Sequence, residues 1–157
     1  MEYSIEFSEN LINAAKFIKE KKYTTEETDR AVLYLSLLSC EITLKSMLEK
    51  AGYSVKELKK RSHDLQGLLQ DIGSCEVDLE NLKGVPATRV RSILVDSNYN
   101  NATVGNLLEA EVQEASKYPN EIRYGDLPKH FPSKLMLDCA IKLYEWAKSP
   151  GDTIRRK

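Results

Sequence analysis

The chain has 157 residues, 41% of them hydrophobic and 30% charged, enough for one domain with its own core and too short for two of ordinary size. That balance excludes an intrinsically disordered chain. A net charge of −1 excludes attraction to nucleic acid through global charge, so a polyanion would have to meet a local patch.

The spacing predicts a first helix from about Glu9 to Lys21, capped by Ser8, with Leu11, Ala15 and Ile18 on one face. Met1 to Ser8 holds two glutamates and no basic residue, unlike the n-region of a secretory leader; a cytoplasmic location is expected. Thr24 and Glu27 have capping-box spacing and open a second helix, which runs to Ala51 and stops at Gly52. Its broad apolar face, including Tyr34, Leu37, Leu38, Ile42, Leu44 and Leu48, marks it as a central rod. The longest apolar run there, Ala31 to Leu38, is interrupted by Tyr34 and Ser36. It falls short of the ~20 residues that cross a bilayer, so no membrane span is expected.

Ser54 and Glu57 repeat the capping-box pattern at the head of a short basic helix. Ser62 or Asp64 starts the next, with Leu65, Leu68, Leu69 and Ile72 buried and Gly73 at its end. Residues 74–86 read as a connection broken by Gly84 and Pro86. A helix is expected over Ala87 to Asp96, then a turn over Asn98 to Asn101. Thr103 caps a helix through Tyr118, which Pro119 terminates. A loop with Gly125, Pro128 and Pro132 leads to Ser133, the expected N-cap of a last helix over Lys134 to Lys148. Ser149 to Lys157 is expected to be a flexible polar tail. Strand signals are weak and connections short, so the expected fold is all-α. It is an up-and-down antiparallel bundle of about five to six helices, in one domain over residues 1–148.

Cys40, Cys75 and Cys139 are an odd, widely spaced set without a Cys-x-x-Cys pair, and only two histidines accompany them. Neither a metal site nor a cofactor is expected. The polar residues that stand out lie elsewhere. Glu41, four residues after Leu37 and three before Leu44, shares a side with core positions and needs a partner there. Lys45 follows one turn on, in the favourable order. The two form either an ion pair at the edge of the apolar stripe or a support that orients a nucleotide-binding group.

Lys56, Lys59, Lys60 and Arg61 precede His63-Asp64-Leu65, where a helix N-terminus offers free N–H groups to an anion. Phosphate contact is one reading. The other is a solvated charge run, with Asp64 as a cap and His63 packed on the bundle. Arg123-Tyr124 offers a planar fork for phosphate and a ring for a base. Alternatively Arg123 pairs with Glu41 or Asp64 and pins its loop.

Three patterns resemble the HEPN family: Glu-x-x-Leu-Lys at Glu41 to Lys45, His63-Asp64-Leu65 followed by Leu68-Leu69, and Arg123-Tyr124 ahead of the last helix. The resemblance spans Ala31 to Trp146. It implies a helical bundle that binds nucleotide or RNA phosphate through Lys59, Lys60, Arg61, His63, Arg123 and Tyr124, with Glu41, Lys45 and Asp64 orienting them. It also implies a place in phage defence or a toxin–antitoxin system, a nucleotidyltransferase or antitoxin partner, and a homodimer; apolar residues not exhausted by the core, such as Tyr3, Phe7 and Val32, are the expected contacts of that dimer.

Members that cleave RNA without a metal use an arginine, a short spacer and a histidine. Arg91 to Asp96 has that spacing but ends on an aspartate, a poor proton donor near neutral pH. Arg123 to His130 has both residues, in a stretch that Gly125 and Pro128 keep from forming one helix. If the protein is an enzyme, Arg123 and His130 are the expected catalytic pair. A bundle that serves protein partnership alone is the third reading.

Overall fold

A long helix organises the molecule. In a computed structural model, which describes residues 1–21, 25–109, 115–150 and 153–157, α2 (Glu26–Lys50) is buried almost all round from Val32 to Leu48. It contacts α1 (Ile5–Lys19), α3 (Val55–Arg61), α4 (Leu65–Gly73), α6 (Asn120–Tyr124) and α7 (Ser133–Lys148), as its apolar face predicts. The cap expected at Thr24 lies outside the described residues. Thr25 caps the helix and exchanges hydrogen bonds with Thr28, while Glu26, Glu27 and Asp29 complement the positive end of the dipole. Gly52, at φ +100°, follows the last turn in the left-handed region where glycine is favoured. By length and composition α2 is apolar enough to cross a membrane, contrary to the reading of its interrupted run, but most of it packs inside the protein.

Helix α1 starts earlier than expected, capped by Ser4, and Ser8 lies within it. The Ser8 hydroxyl is buried and bonds the Ser39 carbonyl at 3.0 Å and the Ser39 hydroxyl at 2.8 Å. Small hydroxyl residues there bring two backbones together while satisfying their own polar atoms. Val32, expected at a dimer face, is core at 1% exposure; Tyr3 is half-buried and Phe7 exposed.

The Ser54–Glu57 capping box and the Asp64 cap are present. At Gly67 a Cβ would collide with the Asp64 carboxylate. Leu65, Leu68, Leu69 and Ile72 are buried as expected.

The fold is not all-α. Residues 75–86 form a hairpin, β1 (Cys75–Leu79) and β2 (Leu82–Pro86), with Val77 opposite Val85 and Glu76 opposite Pro86. Cys75, Val77 and Val85 face the core while their neighbours do not, a period of two too short to stand out beside helical patterns. Ala87–Ser92 is a 3₁₀ turn, followed by β3 (Leu94–Asp96), which pairs antiparallel with β4 (Ala102–Thr103). A helix over Ala87 to Asp96 is therefore absent. The intervening turn holds Asn100 and Asn101 at φ 48° and 51°, a conformation asparagine tolerates better than most residues.

Thr103 does cap a helix, α5, but that helix ends at Leu108. Residues 110–114 lie outside the described residues, and Ser116 and Lys117 are not helical. Pro132, rather than Ser133, holds the cap position of α7, because the Ser133 hydroxyl turns to Asp29.

The tail also departs from expectation. Ile154 is 2% exposed, and β5 (Arg155–Arg156) completes a three-stranded sheet ordered β2-β1-β5, with Cys75 opposite Arg156. Arg155 bonds Glu76 at 2.8 Å and Asp78 at 3.1 Å, and Arg156 lies 3.5 Å over the Tyr53 ring. The result is one core, running from Ile12 to Ile154, shared by helices and two small sheets.

Candidate functional site

Glu41 is the centre of the polar constellation. It is 4% exposed and has three partners from three parts of the chain. Oε2 accepts from Lys45 Nζ at 3.1 Å, and Oε1 accepts from the Tyr118 hydroxyl at 2.9 Å. His63 Nδ1 lies 2.7 Å from Oε1. A carboxylate in that position accepts, so Nδ1 carries a proton and Nε2 is left for a ligand. Lys45 also donates to the Ser62 carbonyl at 2.6 Å, holding a serine whose φ of 50° is unusual for a residue with a side chain. The shared helix places Glu41 above Lys45, Lys45 fixes the turn before α4, and that turn delivers His63.

Burial decides what this network can do. Glu41 and Lys45 are each nearly excluded from solvent, whereas the His63 side chain is 49% exposed. Tyr118 packs edge-on against the imidazole at 5.9 Å and lies 6.0 Å from Tyr34. Its hydroxyl is pushed far above the ordinary tyrosine range, by burial first and then by the Glu41 charge, so it remains a donor. The network is a closed support with one open edge, the imidazole.

Arg123 does not join it through charge. Among the described residues it has no ion pair with Glu41 or Asp64; its guanidinium sits 5.7 Å over Tyr34 and 5.3 Å over Tyr124. Arg123 and Tyr124 are exposed, and the rings of Tyr34 and Tyr118 connect Arg123 to His63. Arg123 and Tyr124 lie in α6 and not in the loop expected there, and the residue that pins α6 and the turn after it is Arg30, whose guanidinium donates to the carbonyls of Ile122 at 3.2 Å and Asp126 at 2.8 Å. Sequence reasoning missed Arg30, because its partners are main-chain atoms. It missed Tyr118 as well, since nothing beside Pro119 betrays a partner far away in α2.

The basic run divides. Arg61 makes a two-pronged pair with Asp71, both bonds 2.7 Å, so its fork is occupied and Arg61 serves architecture instead of a ligand. Lys59 lies 3.7 Å from Glu2 and Lys60 is exposed. The N-terminus of α4 carries the Asp64 carboxylate, which accepts from Gly67 N at 2.9 Å and opposes a second anion there.

Among the described residues no hydrogen bond or ring contact joins Arg123 to His130. His130 packs edge-on to Phe131 at 5.8 Å and lines a cleft that Arg123 does not line. Burial lowers its pKa, with the Phe131 main chain opposing in part. Arg91 pairs with Glu109, and Asp96 accepts from Asn98 N at 2.8 Å, so that motif too is structural. Among the described residues no group of three His, Cys, Asp or Glu side chains could hold a metal ion. No family model, no curated protein and no solved structure matches this chain.

Proposed function

We propose that this protein is a HEPN-like module that binds nucleotide or RNA phosphate at the face carrying His63, Arg123 and Tyr124. The likeness lies in the polar constellation and not in an all-helical fold. One observation carries the reading: a buried carboxylate with three partners presents a half-exposed imidazole by its Nδ1. Burying Glu41 and Lys45 is costly unless every bond is made, and here the arrangement fixes one surface group. With Nδ1 held by Glu41, the Nε2 edge of His63 is the one turned toward a phosphate. Arg123 adds a guanidinium not engaged by a carboxylate among the described residues, and the exposed Tyr124 ring adds a stacking surface for a base. Lys59 and Lys60 contribute longer-range attraction. Cleavage through Arg123 and His130 is the weaker reading, because burial favours the neutral imidazole and Arg123 does not line the cleft that His130 lines.

Titration of the protein with a labelled single-stranded RNA and with a nucleoside triphosphate, in chelator and over a salt series, tests the proposal. Binding without cleavage is expected. Arg123→Ala should weaken it and reduce the salt slope by about one, and His63→Gln should weaken it without altering the fold. Unchanged affinity and slope in both variants would overturn the assignment.

A further inference from the structure

A second site, independent of the phosphate reading, is built between the end of α1, the start of α2 and the loop before α7. The cleft has a volume of about 340 Å³, within the ~300–1,000 Å³ range of small-molecule pockets. Its apolar wall is formed by Leu33, Leu127 and Phe131. Leu127 is 67% exposed, an apolar side chain at the rim that nothing among the described residues covers. Phe131 meets Tyr99 at an interplanar angle of 87° and His130 at 83°. Among the described residues no ring lies parallel on it, so its contacts leave room for a stacked plane.

The polar lining is biased toward cations. Lys19, Arg30 and Lys134 face two carboxylates, Glu26 and Asp29. Asp29 is already satisfied: it accepts from the Ser133 hydroxyl at 3.0 Å and from Lys19 at 3.3 Å. Lys134 is 72% exposed and, among the described residues, holds a surface pair with Asp138, a weak interaction that a ligand could replace. Three cations against two carboxylates leave the lining with one net positive charge, which favours an anion over a cation.

We propose that this cleft binds a small planar aromatic molecule carrying one anionic group, its ring against Phe131 and Leu127 and its carboxylate or phosphate toward Lys134 and Lys19. The aromatic plane is specified by the unstacked ring and the anion by the charge balance. Neither property depends on His63 or Arg123.

Amide NMR of the full chain with two probes, 4-hydroxybenzoate and adenosine 5′-monophosphate, separates the carboxylate from the phosphate form. The expected result is saturable shifts at Leu127, Phe131 and Lys134 with at least one probe, and much weaker effects of adenosine or inorganic phosphate alone. Leu127→Asp and Lys134→Glu alter exposed side chains, so the fold should persist, and each should weaken the bound probe about tenfold. The proposal is overturned if neither probe gives saturable shifts at those amides or if inorganic phosphate alone binds as tightly. Unchanged affinity in both cleft variants would overturn it too, as would shifts confined to Arg123 and Tyr124, which would move the ligand to the other face.

Discussion

The two histidines of this chain occupy environments of opposite design. His63 is half-exposed, with Nδ1 2.7 Å from a buried carboxylate. His130 is largely enclosed, and among the described residues its Nδ1 has no hydrogen-bond partner. The first is held by a network whose members are far apart in sequence; the second is held by packing. A histidine with a fixed tautomer and an open edge suits ligand contact, whereas one without a partner responds to burial and resists protonation. Residue type alone made His130 attractive as a catalytic group; environment reverses the ranking.

The strongest way to break this comparison is to remove the cation beneath His63. In Lys45→Met the Glu41 carboxylate keeps His63 and Tyr118 but loses its buried counter-charge, and Ser62 loses the bond to its carbonyl. Loss of one member of a buried pair costs on the order of 3 kcal/mol, read as a shift of the urea midpoint. The double variant Glu41→Leu with Lys45→Met should recover part of that loss, because no unpaired charge remains. A single variant as stable as wild type would mean that the network holds nothing, and His63 would then be no better positioned than His130.

A smaller effect is expected from neutralising the carboxylate. Glu41→Gln keeps the shape but turns charge-assisted bonds into neutral ones, at a cost of about 1–3 kcal/mol. It should also lower affinity for the RNA or nucleotide probe, since the carboxamide holds the His63 ring by a weaker bond than the carboxylate does. Reduced stability with unchanged affinity would confine Glu41 to architecture.

The same contrast shows what a sequence reader can see. Three caps were legible because their partners are local: Ser54 with Glu57, Asp64 before α4 and Thr103 before α5 each work within three residues, whereas Ser8 and Ser133 bond other elements and cap nothing. The core-side placement of Glu41 was legible from helical spacing, whereas the burial of Lys45 was not, since its place one turn on fits a pair at the edge of the apolar stripe equally well. Tyr118 and Arg30 were not, because their partners lie in other elements and leave no periodic trace. The sheets escaped for a related reason. β5 is two residues long and pairs with Cys75 and Glu76 from the opposite end of this half of the chain, so only the assembled core reveals it. Short strands contribute little local signal, and the buried Ile154 within a charged tail was the one hint available.

The smallest expected effect concerns His130 and sharpens the comparison from the other side. Burial lowers its pKa in the folded protein, so the unfolded chain, titrating near ~6.5, takes up a proton first as the pH falls. The unfolded state then binds more protons than the folded state, and stability rises with pH across that interval. This contribution is complete above the unfolded value, declines as the pH drops toward the lowered folded value, and changes no further below it. Its slope cannot exceed about 1.4 kcal/mol per pH unit. His130→Gln, which cannot titrate, should flatten the corresponding part of the stability curve in urea unfolding over a pH series. The variant's absolute stability matters less than the difference between the two curves. That difference should grow below about pH 6.5 in favour of the variant; parallel curves would show that His130 titrates like a solvated imidazole, and the environmental distinction between the two histidines would fail at this site.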